Sequence, residues 1–247
     1  MALVSIFPTA EAAAAAVAER VLAKVSAEPD AVLGLATGQT PRKVYARMVE
    51  ACGKGEVSFS SATTFNLDEY CGLPAAHPDS YAAYMQRELF HRTDFSPANI
   101  NLIDGSAADE KSEASRYAAL LRKQPVDIQL LGLGVNGHIG FNEPGSALAS
   151  TVRVVELSEE TLHANLPTLL VLDKVPERAI TMGISDILRA REIIVLATGS
   201  AKADAVRRCL EEEQTADCPG SYLSGHPNVQ WFVDQAAASK LRNGPRA

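Results

Sequence analysis

Short apolar runs alternate with stretches of helical period along the whole chain. The runs that read as strands are Ala31–Ala36, Ala62–Leu67, Ile100–Ile103, Val126–Leu131, Val152–Leu157, Ala179–Met182, Ile193–Ala197 and Val229–Val233. Between several of them, Pro41–Ala51, Ser80–Phe90, Ala107–Lys123, Glu159–Thr168, Ser185–Ala190 and Ala201–Glu213 read as helices. Strands alternating with helices predict βαβ units and an α/β fold, a mostly parallel central sheet flanked by helices. No internal repeat, low-complexity tract or linker breaks the pattern, so residues 1–247 read as a single domain. In such sheets ligands bind beyond the carboxyl ends of the strands.

One further stretch, Thr9–Ala27, is rich in alanine but interrupted by Glu11, Glu19, Arg20 and Lys24. Residues 1–8 hold no basic side chain, so a signal peptide is a poor reading. An amphipathic helix capped by Thr9, with Val17, Val21 and Val25 on its apolar stripe, fits better. No run approaches the roughly 20 apolar residues that span a bilayer, which predicts a soluble protein with no membrane partner. Composition adds little: 47% apolar and 21% charged residues are ordinary for a globular chain. The net charge, 23 basic against 30 acidic side chains for −7, leaves no basic footprint for nucleic acid or anionic lipid. Any anion must be held by a local site. Cys52, Cys71, Cys209 and Cys218 form neither a CxxC pair nor a zinc-spaced cluster. No metal site is expected, and free thiols fit a reducing cytoplasm.

Four strand ends carry candidate chemistry. After Ala31–Ala36 come Thr37-Gly38-Gln39-Thr40-Pro41 and a helix, with Thr40 as N-cap and Pro41 in the first turn. Free N–H groups and the positive dipole end suit an anion there, although an ordinary strand-to-helix turn uses the same residues. Ala62–Leu67 delivers Asp68 and Glu69, which read either as turn caps or as a base near a substrate carbon. Val126–Leu131 runs into Gly132-Leu-Gly134-Val-Asn136-Gly137, formally a GxGxxG fingerprint. Gly140, Pro144 and Gly145 oppose the helix such a motif requires, so a nicotinamide site is rejected. The glycines instead suit a tight turn that lets Asn136, His138 and Glu143 meet around a ligand. Ile193–Ala197 ends in Thr198-Gly199-Ser200, with Lys202 in the first turn of a helix. Lysine is disfavoured at that end of the dipole unless an anion shares the site.

Taken together, these segments resemble the glucosamine-6-phosphate deaminases, or isomerases. The likeness rests on Ala36–Pro41, Phe65–Tyr70, Gly134–Pro144, Ala179–Gly183, Gly199–Lys202 and Cys218–Leu223, in that order. It implies a three-layer Rossmann-like fold and a ketol isomerisation coupled to deamination, yielding fructose 6-phosphate and ammonia with no cofactor. By the resemblance, Asp68 moves the proton from C2 to C1. His138, with Glu143 and Asn136, opens the pyranose ring. Thr37, Gly38, Gln39, Thr40, Gly137 and Lys202 bind the sugar phosphate. The related 6-phosphogluconolactonases carry a GHTASLFP-like stretch where this chain reads Gly137-His-Ile-Gly-Phe-Asn-Glu-Pro144. A lactone hydrolase is therefore the runner-up on the same scaffold, and a sugar-phosphate sensor without turnover is a third reading. Family members differ in oligomeric state, so a homo-oligomer is one option.

The chain departs from the family's pattern at three places. Asn136 stands where many members have Asp, and its amide can orient an imidazole but not relay a proton. Ala164-Asn-Leu-Pro167 replaces Ala-Asn-x-Arg, so an arginine on the substrate phosphate is missing. Arg153, Arg189 and Arg191 are nearby in sequence, and galactosamine 6-phosphate becomes an alternative substrate. Allosteric members bind N-acetylglucosamine 6-phosphate through a serine pair, an arginine and a lysine. Here Ser146 and Arg153 match, but Ala147 and Val155 do not, which predicts little or no activation by that ligand. Because the departures cluster there, residues 146–175 are the candidate lid.

Overall fold

The computed structural model describes residues 3–242. Seven parallel strands form the main sheet: β1 (Leu3–Phe7), β2 (Val32–Leu35), β3 (Thr63–Asn66), β5 (Ile100–Asn101), β6 (Ile128–Gly132), β9 (Glu192–Ala197) and β10 (Val229–Asp234). Their spatial order is β1-β10-β9-β6-β2-β3-β5. Alternate residues of β9 show why there are three layers. Ile193, Val195 and Ala197 face one apolar cluster, with Tyr117 and Leu121 of helix α4 (Glu110–Lys123) and Val206 of α7 (Ala203–Glu211). Ile194 and Leu196 face the other, with Val17, Val21 and Val25 of α1 (Ala10–Ala27) and Met48 of α2 (Arg42–Gly53). The Thr9 hydroxyl accepts the Ala12 N–H at 3.1 Å, so α1 begins where its cap predicts.

Two of the sequence-read strands do not join the parallel sheet. β7 (Arg153–Glu156) and β8 (Arg178–Thr181) pair antiparallel in a small sheet ordered β4-β8-β7, whose third strand is β4 (Asp68–Tyr70). Leu67 is the hinge between the sheets. Its N–H bonds to Leu35 O in the main sheet at 3.0 Å, and its carbonyl accepts the N–H of Met182, just past β8 of the small one, at 2.8 Å. Asp68 and Glu69 are therefore not the frayed end of a strand but the start of another. The N-cap at Thr40 is also corrected. Pro41 is itself the N-cap, with φ −75° and ψ −11°, and its carbonyl takes the Tyr45 N–H at 2.9 Å. Residues Ser185–Ala190 reduce to one turn, α6 (Ile184–Ile187). Lys202 ends a 3₁₀ turn, Ser200–Lys202, and caps α7 rather than lying within it. Among the described residues no helix is long and apolar enough to cross a membrane.

Candidate active site

The carboxyl ends of β2, β3, β6 and β9 surround a cleft of about 210 Å³. It is lined by residues 36–40, by Leu67, Asp68 and Tyr81, and by Gly134, His138, Gly140 and Lys202. Five of the six residues assigned to substrate binding, Thr37, Gly38, Gln39, Thr40 and Lys202, line it. Gly137 does not line it; the backbone there turns behind the wall at φ +89°, and its carbonyl accepts the Gly220 N–H at 2.7 Å. A Cβ at Gly137 would lie 2.4 Å from Cys218 Sγ, so only glycine fits.

Residues Thr37–Thr40 make one wall. Gly38 takes φ +103°, a conformation that favours glycine. Two tyrosines hold this loop by its carbonyls: Tyr45 Oη donates to Ala36 O, and Tyr84 Oη to Gly38 O at 2.6 Å. Across the cleft, both Asp234 carboxylate oxygens accept the Gly199 N–H at 3.0 Å and fix the turn that carries Lys202. Among the described residues the Lys202 ammonium pairs with no carboxylate, and burial holds its pKa below the usual lysine value. An unpaired, part-desolvated cation facing a glycine turn is an anion site waiting for charge.

The two adjacent carboxylates have different surroundings. Glu69 is occupied: it accepts the backbone N–H groups of Tyr70 and Tyr81 at 2.9 Å and of Ala82 at 2.7 Å, capping α3 (Tyr81–Glu88). Burial raises its pKa to about 7 against those bonds. Asp68 is 6% exposed, lines the cleft, and no described residue donates to its carboxylate. Burial first, and the Glu69 charge second, push it up to about 8. Gly140 packs against it; a Cβ there would come within 3.2 Å of Asp68 Oδ2.

On the facing wall His138 is half-buried. Its Nδ1 lies 3.6 Å from Glu143 Oε2 and has no hydrogen bond. A Cβ on Gly134 would fall 2.3 Å from that nitrogen, so the glycine makes room for the imidazole. Asn136 organises the group: its Oδ1 accepts the His138 N–H at 3.1 Å, and its Nδ2 donates to Glu143 Oε2 at 3.2 Å and to Glu160 Oε2 at 3.3 Å. Burial lowers the His138 pKa more than Glu143 raises it, leaving the imidazole neutral at pH 7. Asn142 is a strut; its amide donates to Ile139 O and Met182 O at 2.8 Å, holding the turn that presents Glu143.

None of the arginines suggested by the sequence serves the cleft. Arg153 donates to Asn142 Oδ1 at 2.9 Å and Ser146 Oγ at 3.3 Å, Arg191 pairs with Asp127 at 3.2 Å, and Arg189 lines a separate crevice. The guanidiniums at the cleft's outer mouth are Arg42 and Arg87, both drawn to Glu88, at 3.4 and 3.1 Å. Sequence reading passed over them, although Arg42 directly follows the Thr37–Pro41 turn. It read residues Glu159–Thr168 as a helix but passed over Thr161 and Asn165, which helix α5 (Glu159–Asn165) brings to the cleft; Asn165 Nδ2 donates to Tyr70 Oη at 3.0 Å. Among the described residues no group of three or more His, Cys, Asp or Glu could hold a metal ion. What remains is an anion cradle, a carboxylate poised for protonation and a neutral imidazole backed by a carboxylate, the parts of a proton-transfer site for a small anionic substrate.

The comparisons agree with that class. Residues 8–231 match the family described as glucosamine-6-phosphate isomerases/6-phosphogluconolactonase. A glucosamine-6-phosphate deaminase of Rhodopirellula baltica is 48% identical, over 96% of this chain and 95% of its own. One from Halothermothrix orenii is 43% identical, over 90% and 92%. The solved structure of a monomeric glucosamine-6-phosphate deaminase superposes with a TM-score of 0.94 at 41% identity, covering 97% of this chain and all of that one. The 6-phosphogluconolactonase of Trypanosoma brucei, at 24% identity and TM-score 0.78 over 98% and 99%, shares the fold. The chain belongs to the glucosamine-6-phosphate isomerase/6-phosphogluconolactonase family.

Proposed function

We infer that this chain converts glucosamine 6-phosphate and water to fructose 6-phosphate and ammonia. The observation that carries this reading is Asp68, a carboxylate to which no described residue donates, lining one cleft with His138, whose Nδ1 faces Glu143. Thr37, Gly38, Gln39 and Thr40, with Lys202, hold the phosphate and set the sugar's register. Neutral His138 takes the proton from the C1 hydroxyl and delivers it to the ring oxygen as the C1–O5 bond breaks. Glu143 stabilises the imidazolium formed in between. The open chain now has a C1 carbonyl that acidifies the C2 proton, which ionised Asp68 removes and returns at C1 as the amine gives up one proton and O1 gains one. The resulting C2 imine adds water and releases ammonia. Each proton-transfer device contributes about 10²- to 10⁴-fold.

Identity separates this reading from the runner-up, since the deaminases quoted above are 41–48% identical and the lactonase 24%. Galactosamine 6-phosphate remains the alternative substrate. Residues 146–175 serve as the lid in this account; α5 faces the cleft, and Asp79 latches the segment behind it by accepting the N–H groups of Leu170, Val171 and Leu172. Cysteine usage supports a cytoplasmic setting. The test is Asp68→Asn. An enzyme of this mechanism loses turnover by about 10²- to 10⁴-fold and keeps its affinity for the sugar phosphate. Unchanged turnover would remove Asp68 from the chemistry.

A further inference from the structure

We propose that Thr161 is a positioning residue for the ring-opening pair, acting through Glu143. The inference rests on the deaminase reading and adds a residue to it. Glu143 is half-buried on a turn, and a carboxylate on one rotatable stem does not by itself present a chosen oxygen to an imidazole. Here both oxygens are assigned. Oε2 lies 3.6 Å from His138 Nδ1 and accepts from Asn136 Nδ2, while Oε1 accepts from Thr161 Oγ1. A carboxylate can only accept, so the threonine hydroxyl must donate.

Thr161 is suited to the task. It is 3% exposed and lies in the first turn of α5, where its own N–H bonds to the Ser158 cap at 3.2 Å. The preceding residue, Glu160, accepts from the same Asn136 amide that holds Glu143. Helix α5 therefore grips the His138 turn at two adjacent points, one on each side of the Glu143 carboxylate. Without the hydroxyl, Oε1 loses a charge-assisted bond and the carboxylate is free to rotate away from Nδ1. Ring opening then slows, whereas Asp68, held on β4, keeps its place.

Thr161→Val keeps the shape and removes the donor; Thr161→Ser keeps the donor. Steady-state kinetics on glucosamine 6-phosphate should show kcat falling roughly 10- to 100-fold in the valine variant, with the serine variant near wild type. Binding of the open-chain alditol, 2-amino-2-deoxyglucitol 6-phosphate, should stay near wild type in both, because it needs no ring opening. In a Glu143→Gln background, adding Thr161→Val should change kcat little, since the partner it acts on is already altered. The proposal is overturned by unchanged kcat in Thr161→Val, by a serine variant as slow as the valine one, by an affinity loss for the alditol as large as the fall in kcat, or by the same fall in both backgrounds. A wild-type protein that releases no ammonia would instead remove the deaminase reading itself.

Discussion

Asp68 and Glu69 are adjacent, both carboxylic acids and both buried, yet only one is free to react. Three backbone N–H groups engage Glu69, two of them at the start of α3, and among the described residues none engages Asp68. Neighbouring residues of a strand point to opposite faces, so one sees the helix and the other the cleft. The pKa of Asp68, about 8 against 3.8, makes a kinetic and a thermodynamic prediction. The base works ionised, so kcat/KM should rise with pH through an apparent pKa near 8. It should fall again at higher pH, where Lys202, held below its usual range, loses its proton. A pH–rate profile flat from 6 to 9, at roughly one-unit spacing, would contradict this assignment.

The stability effect runs the other way. Between about pH 4 and pH 8 the native state holds the Asp68 proton and the unfolded chain does not, so stability drains as pH rises through that window. Asparagine has no proton to lose. Asp68→Asn should therefore melt a few degrees above wild type at pH 8, at ~2–4 °C per kcal/mol for a chain of this size. The gap should close toward pH 4. Thermal melts at the two pH values check it, and an asparagine variant less stable at pH 8 would show that the carboxylate is not strained by burial.

At the scale of elements, the site is built beyond strand ends whose residues were legible one by one: Thr37–Thr40 after β2, Asp68 after β3, His138 after β6 and Lys202 after β9. Period and turn chemistry are local, and they marked most helices and strands of the main sheet. The small sheet was not legible as separate. β7 and β8 have the same apolar character as parallel strands, and only the change of partner at Leu67 sends them elsewhere. Strand β4 was hidden because two of its three residues are carboxylates. Strand β1, Leu3–Phe7, lies at the sheet edge before Pro8 and was missed. Helix α5 was read as a helix, but its contacts with the His138 turn join residues far apart in sequence, which no periodicity reveals. The cradle makes its own prediction. Lys202→Met should raise KM for the sugar phosphate roughly 10- to 100-fold, the worth of a hydrogen bond to a charged group. Its kcat should change less. A KM within twofold of wild type, roughly 0.4 kcal/mol, would place the phosphate elsewhere, with Arg42 and Arg87 at the mouth the next candidates.

For the whole molecule, a net charge of −7 must coexist with an anionic substrate, and the structure reconciles them locally. Among the described residues no carboxylate pairs with the ammonium of Lys202 inside the cleft, whereas Glu88 occupies the arginines at its mouth. Ser146 and Arg153, the two positions that match the family's allosteric set, bond to each other at 3.3 Å. With Ala147 and Val155 beside them, adding N-acetylglucosamine 6-phosphate should leave KM for substrate unchanged. A clear lowering of KM would contradict that reading. The most direct test of the account is ammonia release, with glucosamine 6-phosphate and galactosamine 6-phosphate assayed in parallel. The account predicts ammonia from glucosamine 6-phosphate, lost in Asp68→Asn. Ammonia from the galacto sugar alone would keep the mechanism and overturn the substrate; binding of both sugars with no ammonia from either would contradict the enzyme itself.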